Sequence, residues 1–152
     1  MEQIGVLGEC MDSGLADYQP WYESYPPPLV PIDEDRLLIG SGDRITATVV
    51  ALPDDRFRMV LVDNTTHLSF TTVQTVAGVG DTDAAILIEA PHRQGYSLAS
   101  FTPIHFSSCE VDGRPITAFS PRGSDIIIGG VAKTATSDLS EAGDGFTVSS
   151  QP

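Results

Sequence analysis

"RITATVVALPDDRFRMVLVDNTTHLSFTTVQTV", residues 44–76, decides the fold class. Three runs rich in Val, Ile, Thr and Phe are parted by "PDD" and "DNTT", short polar clusters of the kind that reverse a chain. In the first run Ile45, Ala47, Val49 and Ala51 fall on one face. In the second, Phe57, Met59, Leu61 and Asp63 oppose Arg58, Val60 and Val62. A period of two matches the alternation of side chains across a strand, and connections this short make the strands antiparallel neighbours.

The pattern continues outward. Further runs are "AAILIEA" (84–90), "SFTPIHFSSCEV" (100–111), "RPITAFS" (114–120), "SDIIIGGVAKTAT" (124–136) and "GFTVSS" (145–150). Asp112-Gly113 is the strongest hairpin-turn signal, and "GGVAK" (129–133) reads as a bulged strand. No window of helical length keeps a 3.6-residue apolar period. The best candidate, "SGLADYQ" (13–19), runs into Pro20. The expected class is all-β, in one domain spanning residues 1–152. The stretch "YQPWYESYPPPLVPIDEDR" (18–36) concentrates aromatics, then prolines, then acids, and reads as a loop or a sheet edge because Pro26, Pro27 and Pro28 lack amide donors.

Composition excludes some partners. Eight Lys and Arg stand against 21 Asp and Glu in 152 residues, a formal net charge of −13. Such a chain repels phosphate backbones and anionic headgroups, so neither nucleic acid nor a membrane surface is an expected partner. The same imbalance suits an acidic medium, where protonation of carboxylates relieves self-repulsion. No apolar run approaches the ~18–20 residues of a membrane-spanning helix, and "MEQIGVLGEC" (1–10) lacks the basic and apolar regions of a signal peptide. Cys10 and Cys109 allow either one disulfide or two free buried thiols. His67, His92 and His105 lack metal-ligand spacing, and the chain has no Gly-rich phosphate loop and no G-x-S-x-G elbow. Neither a metal nor a cofactor is expected.

The order of several segments resembles the eqolisins, or glutamic peptidases. "QIGV" (3–6) is similar to the family's Gln-x-Gly-Val strand, and "YQPWYESYP" (18–26) to its Tyr-x-x-Trp-Tyr-Glu-x-Tyr-Pro segment. "GDRITATV" (42–49) resembles its Gly-Asp-x-Ile strand start and "LVDNTTHLSFTT" (61–72) its Asp-Asn-Thr-Thr hairpin. "AAILIEAP" (84–91) resembles its Ala-Glu-Trp-Ile-x-Glu-x-Pro motif, and "LASFTPIHFSSCEVDGRPI" (98–116) its Leu-Ala-x-Phe strand with the hairpin that follows. Two positions depart: Ile86 stands where the family has Trp, and Ala85 where it has an acid, so a pocket wall is altered. Family members also carry further strands before the glutamine, which here is residue 3, so either the start is misplaced or the chain reads as an N-terminally shortened relative.

The resemblance implies an antiparallel two-sheet β-sandwich of concanavalin-like or jelly-roll type. It implies an acid-acting, secreted endopeptidase that acts on a polypeptide as a monomer. Gln3 and Glu89 would be the catalytic pair, side by side on a concave sheet face, with Trp21, Tyr22, Glu23 and Tyr25 binding substrate. The residue types suit the chemistry. Peptide hydrolysis needs one group to take a proton from the attacking water and return it to the leaving amine. In acid a histidine base is protonated, whereas a glutamate, with an unperturbed pKa of about 4.3, is still partly ionised. A glutamine amide donates to the developing oxyanion without titrating. From the residues alone, a non-catalytic β-sandwich binding module or an inactive truncated relative also stays open.

Overall fold

The computed structural model describes residues 1–78, 82–90 and 97–151. Its strands are antiparallel throughout, and a single 3-10 turn, Ile116–Phe119, is the one helical element among the described residues. No helix among them is long and apolar enough to cross a membrane. The chain forms two compact units, Met1–Thr82 and Asp83–Pro152.

The first unit holds two three-stranded sheets. One runs β1 (Glu2–Cys10), β2 (Ala16–Ser24), β3 (Val30–Pro31), and the other β4 (Ile45–Leu52), β5 (Arg56–Asp63), β6 (Leu68–Thr75). The predicted face of β5 is the buried one: Met59, Leu61 and Asp63 are fully buried and Phe57 nearly so. On β4, the register sets Ala47 opposite Leu61 and Val49 opposite Met59, so the predicted face is correct. Being at the sheet edge, these β4 side chains nonetheless stay exposed, and only Ile45 of the four is half-buried. Leu61 and Phe70 join Ile32, Leu37 and Ile39 in one apolar cluster, against which Ile4, Val6, Tyr18 and Tyr22 pack from the first sheet. Truncating a fully buried leucine such as Leu61 to Ala costs about 2–5 kcal/mol.

One sequence expectation is corrected here. The stretch 18–36 is not loop or edge throughout, because Ala16–Ser24 is the central strand of its sheet even though it contains Pro20. The missing Pro20 amide is tolerated because its carbonyl still accepts from the Ile32 amide at 2.8 Å and from Gln19 Nε2 at 3.0 Å. Only residues 25–29 form the connecting loop.

The 64–67 turn between β5 and β6 is built around Asp63. Its carboxylate accepts from the Thr66 hydroxyl at 2.6 Å and from the Thr65 amide at 2.8 Å. The Thr66 hydroxyl bond, with further bonds from the Thr65 and Thr66 amides and the Thr65 hydroxyl, holds this carboxyl below its ordinary 3.8 against the opposing effect of burial. Asn64 then donates to Arg44 O at 3.0 Å and to Thr46 Oγ1 at 2.9 Å, pinning the turn to β4.

In the second unit, β7 (Ile104–Phe106), β12 (Thr134–Thr136) and β13 (Phe146–Ser150) form one sheet with β13 central. Phe106 and Phe146, paired across it, stack at 4.7 Å. Two short hairpins, β8 (Glu110–Val111) with β9 (Arg114–Pro115) and β10 (Ile127–Ile128) with β11 (Val131–Ala132), lie between β7 and β12 in sequence. Asp112-Gly113 makes the first turn as expected. Gly129-Gly130, expected as a bulge, instead makes the second, because Ile128 pairs directly with Val131 and leaves those two glycines as a two-residue connection. The apolar run 84–90 is not a strand: no described residue pairs with it, and without a partner for its backbone groups β propensity alone forms no ladder. Both cysteines are free, so the disulfide alternative does not hold, and of the two thiols only Cys109 is buried while Cys10 is exposed.

Two predictions follow from these turns. Gly143 and Gly113 both have positive φ, but a Cβ on Gly143 would lie 2.5 Å from Thr117 Cγ2 while one on Gly113 meets nothing within 4 Å. In chemical denaturation Gly113→Ala is expected to cost about 1 kcal/mol and Gly143→Ala about 2–3 kcal/mol. A carboxylate held below its ordinary pKa contributes stability that is present above about 3.8 and fades as pH falls through the folded-state value. Thermal melts should therefore place Asp63→Asn below the parent at pH 6–7, with the gap narrowing as pH drops toward about 2.

Candidate active site

The site is built on the β1–β2 hairpin. "DSG" (12–14) reverses the chain, the Gly14 amide bonding to Met11 O at 2.8 Å and the Met11 amide to Leu15 O at 2.8 Å. The ladder then pairs Glu2 with Ser24, Gln3 with Glu23, Ile4 with Tyr22 and Gly5 with Trp21. Residues paired across an antiparallel ladder share a face, and consecutive residues take opposite faces. Ile4, Val6, Tyr18 and Tyr22 face the core. Gln3, Glu23, Gly5 and Trp21 therefore share the other face.

On that face the Gln3 side-chain Nε2 donates to Glu23 Oε2, and both residues are half-buried. At the next pair, the Trp21 indole crosses Gly5, its Cζ2 lying 3.6 Å from where a Cβ on Gly5 would be. The glycine of "QIGV" thus seats an aromatic ring beside the glutamine. Sequence reading missed both features. The signal was present in the turn centred on Ser13: any two strand residues whose numbers sum to 26 stand opposite each other.

The four expected substrate residues separate by the parity of the strand. Trp21 and Glu23 stand with Gln3. Tyr22 turns inward and stacks on Phe70 with ring centroids 5.8 Å apart, while the Arg36 guanidinium covers Phe70 at 4.6 Å. Tyr22 also lines, with the exposed Tyr25, a cavity of about 420 Å³ walled by Pro26, Pro27, Pro28 and the Gln74–Ala77 stretch. Tyr25 is 58% exposed at its rim.

Glu89 belongs to the second unit. It is exposed, as are Ala84, Ala85, Ile86 and Leu87 before it, while Ile88 and Ala90 on either side of it are half-buried. Pro91, which closes its motif, and His92 lie outside the described residues.

Other nucleophile chemistries find little support. Burial pushes the Cys109 thiol above its ordinary 9.0, and the Asp144 carboxylate adds to the shift, so the sulfur is held as an unreactive thiol. In a cavity of about 230 Å³ lined by His105, Ser140 and Asp144, His105 Nδ1 bonds Thr147 Oγ1 at 2.9 Å while Ser140 Oγ bonds Asp144 Oδ1 at 3.0 Å. These bonds do not join serine to histidine. Among the described residues, no group of three or more His, Cys, Asp or Glu is placed to hold a metal ion.

The family model described as Peptidase A4 family matches residues 1–150. The crystal structure of aspergilloglutamic peptidase from Aspergillus niger superposes with a TM-score of 0.82 at 26% identity, over 99% of this chain and 89% of that one. Scytalido-glutamic peptidase with a transition state analog inhibitor gives 0.67 at 18% identity, over 88% of this chain and 69% of that one. A second scytalido-glutamic peptidase structure, with a peptide based transition state analog, gives 0.63 at 19% identity over the same shares. No curated protein matches the sequence. The chain belongs to the Peptidase A4 family, the eqolisins, and has their antiparallel β-sandwich fold.

The inward placement of Tyr22 makes a prediction that separates packing from binding. Tyr22→Phe keeps the ring on Phe70 and should melt within about 1 kcal/mol of the parent, whereas Tyr22→Ala should lose about 3–5 kcal/mol in urea titration.

Proposed function

We propose that this member of the Peptidase A4 family is an acid-acting endopeptidase in which Glu89 and Gln3 carry the chemistry. The observation that carries the reading is the family match over residues 1–150, which includes the segments bearing both residues. The two side chains also have the properties that the roles require. Glu89 is an exposed carboxylate, open to water and substrate. Gln3 is a half-buried amide on the face turned away from the core.

In the proposed reaction the Glu89 carboxylate takes a proton from water as the water oxygen bonds to the scissile carbonyl carbon. The carbonyl oxygen becomes negative and accepts a hydrogen bond from the Gln3 amide. Collapse of the tetrahedral intermediate breaks the C–N bond, and the proton held on Glu89 passes to the leaving nitrogen. One carboxyl group thus acts first as base and then as acid. Trp21 offers an apolar wall beside Gln3 on the face turned away from the core. The proposed workplace is an acidic medium outside the cell, with the enzyme acting as a monomer.

The test is cleavage of acid-denatured protein between about pH 2 and 5. Glu89→Gln is expected to abolish turnover, and Gln3→Ala to lower kcat by about 100- to 1000-fold. Undiminished cleavage by the Glu89→Gln protein would remove Glu89 from the chemistry and overturn the reading, and no cleavage by the parent at any pH would leave a binding module.

A further inference from the structure

We propose that Glu23 is a positioning residue for Gln3: its carboxylate fixes the orientation of the Gln3 amide and so decides which amide atoms the substrate meets. The inference rests on the catalytic role proposed for Gln3, but the contact it starts from belongs to the first unit alone.

A glutamine amide has two N–H donors on one end and a carbonyl acceptor on the other, and it presents either end with nearly the same shape. A free Gln3 would populate both orientations and several rotamers. Only some of these aim an N–H at a developing oxyanion. Glu23 removes the ambiguity by accepting from the nitrogen end of the amide. Gln3 Nε2 donates to Glu23 Oε2, and the reverse orientation would set Gln3 Oε1 against that same oxygen and lose this bond. One N–H is consumed by Glu23. The second N–H of the same nitrogen is left for the oxyanion, and Oε1 is turned away from Glu23.

The arrangement is built into the backbone. Gln3 and Glu23 are directly paired in the β1–β2 ladder, so neither side chain has to reach along its strand. Trp21 over Gly5 occupies the adjacent pair on that face and limits the amide on that side. Both partners are half-buried, which shields the bond from competing water. A half-buried hydrogen bond of this kind shifts such a conformational equilibrium by about 10-fold or more. The same contact counts against a substrate-binding role for Glu23, because the carboxylate oxygen facing Gln3 is occupied before any peptide arrives.

The test combines kinetics and NMR on the full chain. For Glu23→Ala, kcat is expected to fall by about 10- to 100-fold with KM changed less than about threefold. Glu23→Gln, which keeps a carbonyl acceptor at the same reach, should recover most of that loss. In the Gln3→Ala background, Glu23→Ala should cost nothing further, since the residue through which it acts is gone. A raised KM with kcat retained, or a full additional loss in the double variant, would overturn the proposal. The NMR arm needs no activity. The two side-chain amide protons of Gln3, assigned by their loss in Gln3→Ala, should be well separated in the parent and should converge in Glu23→Ala; unchanged shifts would also overturn it. If the protein proves to have no peptidase activity while the amide protons still respond to Glu23→Ala, the catalytic reading has failed and the positioning contact has not.

Discussion

The register of the β1–β2 hairpin governs everything else in the first unit. Once "DSG" closes the turn, every pair on the ladder is fixed, and with it the face on which each side chain stands. Ile4, Val6, Tyr18 and Tyr22 then have to fill the core, and Gln3, Glu23 and Trp21 have to leave it. A slip of one residue would exchange the two sets, burying the amide and the carboxylate and exposing the aromatics. Burial of the apolar face therefore holds the register, and the register holds the polar pair. The energy that aligns the site comes from the opposite side of the same sheet.

This division of labour accounts for the behaviour of the aromatic segment. Trp21 and Tyr22 are adjacent in sequence, yet one seats on Gly5 beside the glutamine and the other stacks on Phe70 beneath the Arg36 guanidinium. Their jobs differ because a strand cannot turn two neighbours the same way. Pro20 sits within this strand without breaking the sheet, since its carbonyl carries the hydrogen bonds that its nitrogen cannot. In a Peptidase A4 chain the segment thus serves as core on one side and as a wall for the candidate site on the other.

How much of this was legible in the sequence follows from where each signal resides. The alternation of Phe57, Met59, Leu61 and Asp63 was plain, because β5 lies between two partners and buries one face fully. The all-β class and the Asp112-Gly113 hairpin were legible for similarly local reasons. The β1–β2 hairpin was obscured by its prolines, acids and aromatics, which locally favour loops; packing against the core overrode them. The run at 84–90 misled in the other direction, since its composition favours a strand but pairing depends on a neighbour that composition does not reveal. For the candidate site, family resemblance named Gln3, Trp21 and Glu23 singly, and the hairpin brings these three to one face. The pairing of Gln3 with Glu23 was not legible, because it needs a register, and a register belongs to two strands at once.

The turn that closes β5 and β6 has a consequence for the solutions this protein tolerates. The charge on Asp63 is met by hydroxyl and amide dipoles held at 2.6–2.8 Å. Mobile ions weaken attractions between exposed opposite charges, but fixed dipoles touching a fully buried carboxylate lie inside the distance at which a salt atmosphere can intervene. Added salt should accordingly disturb this turn less than protonation of Asp63 does.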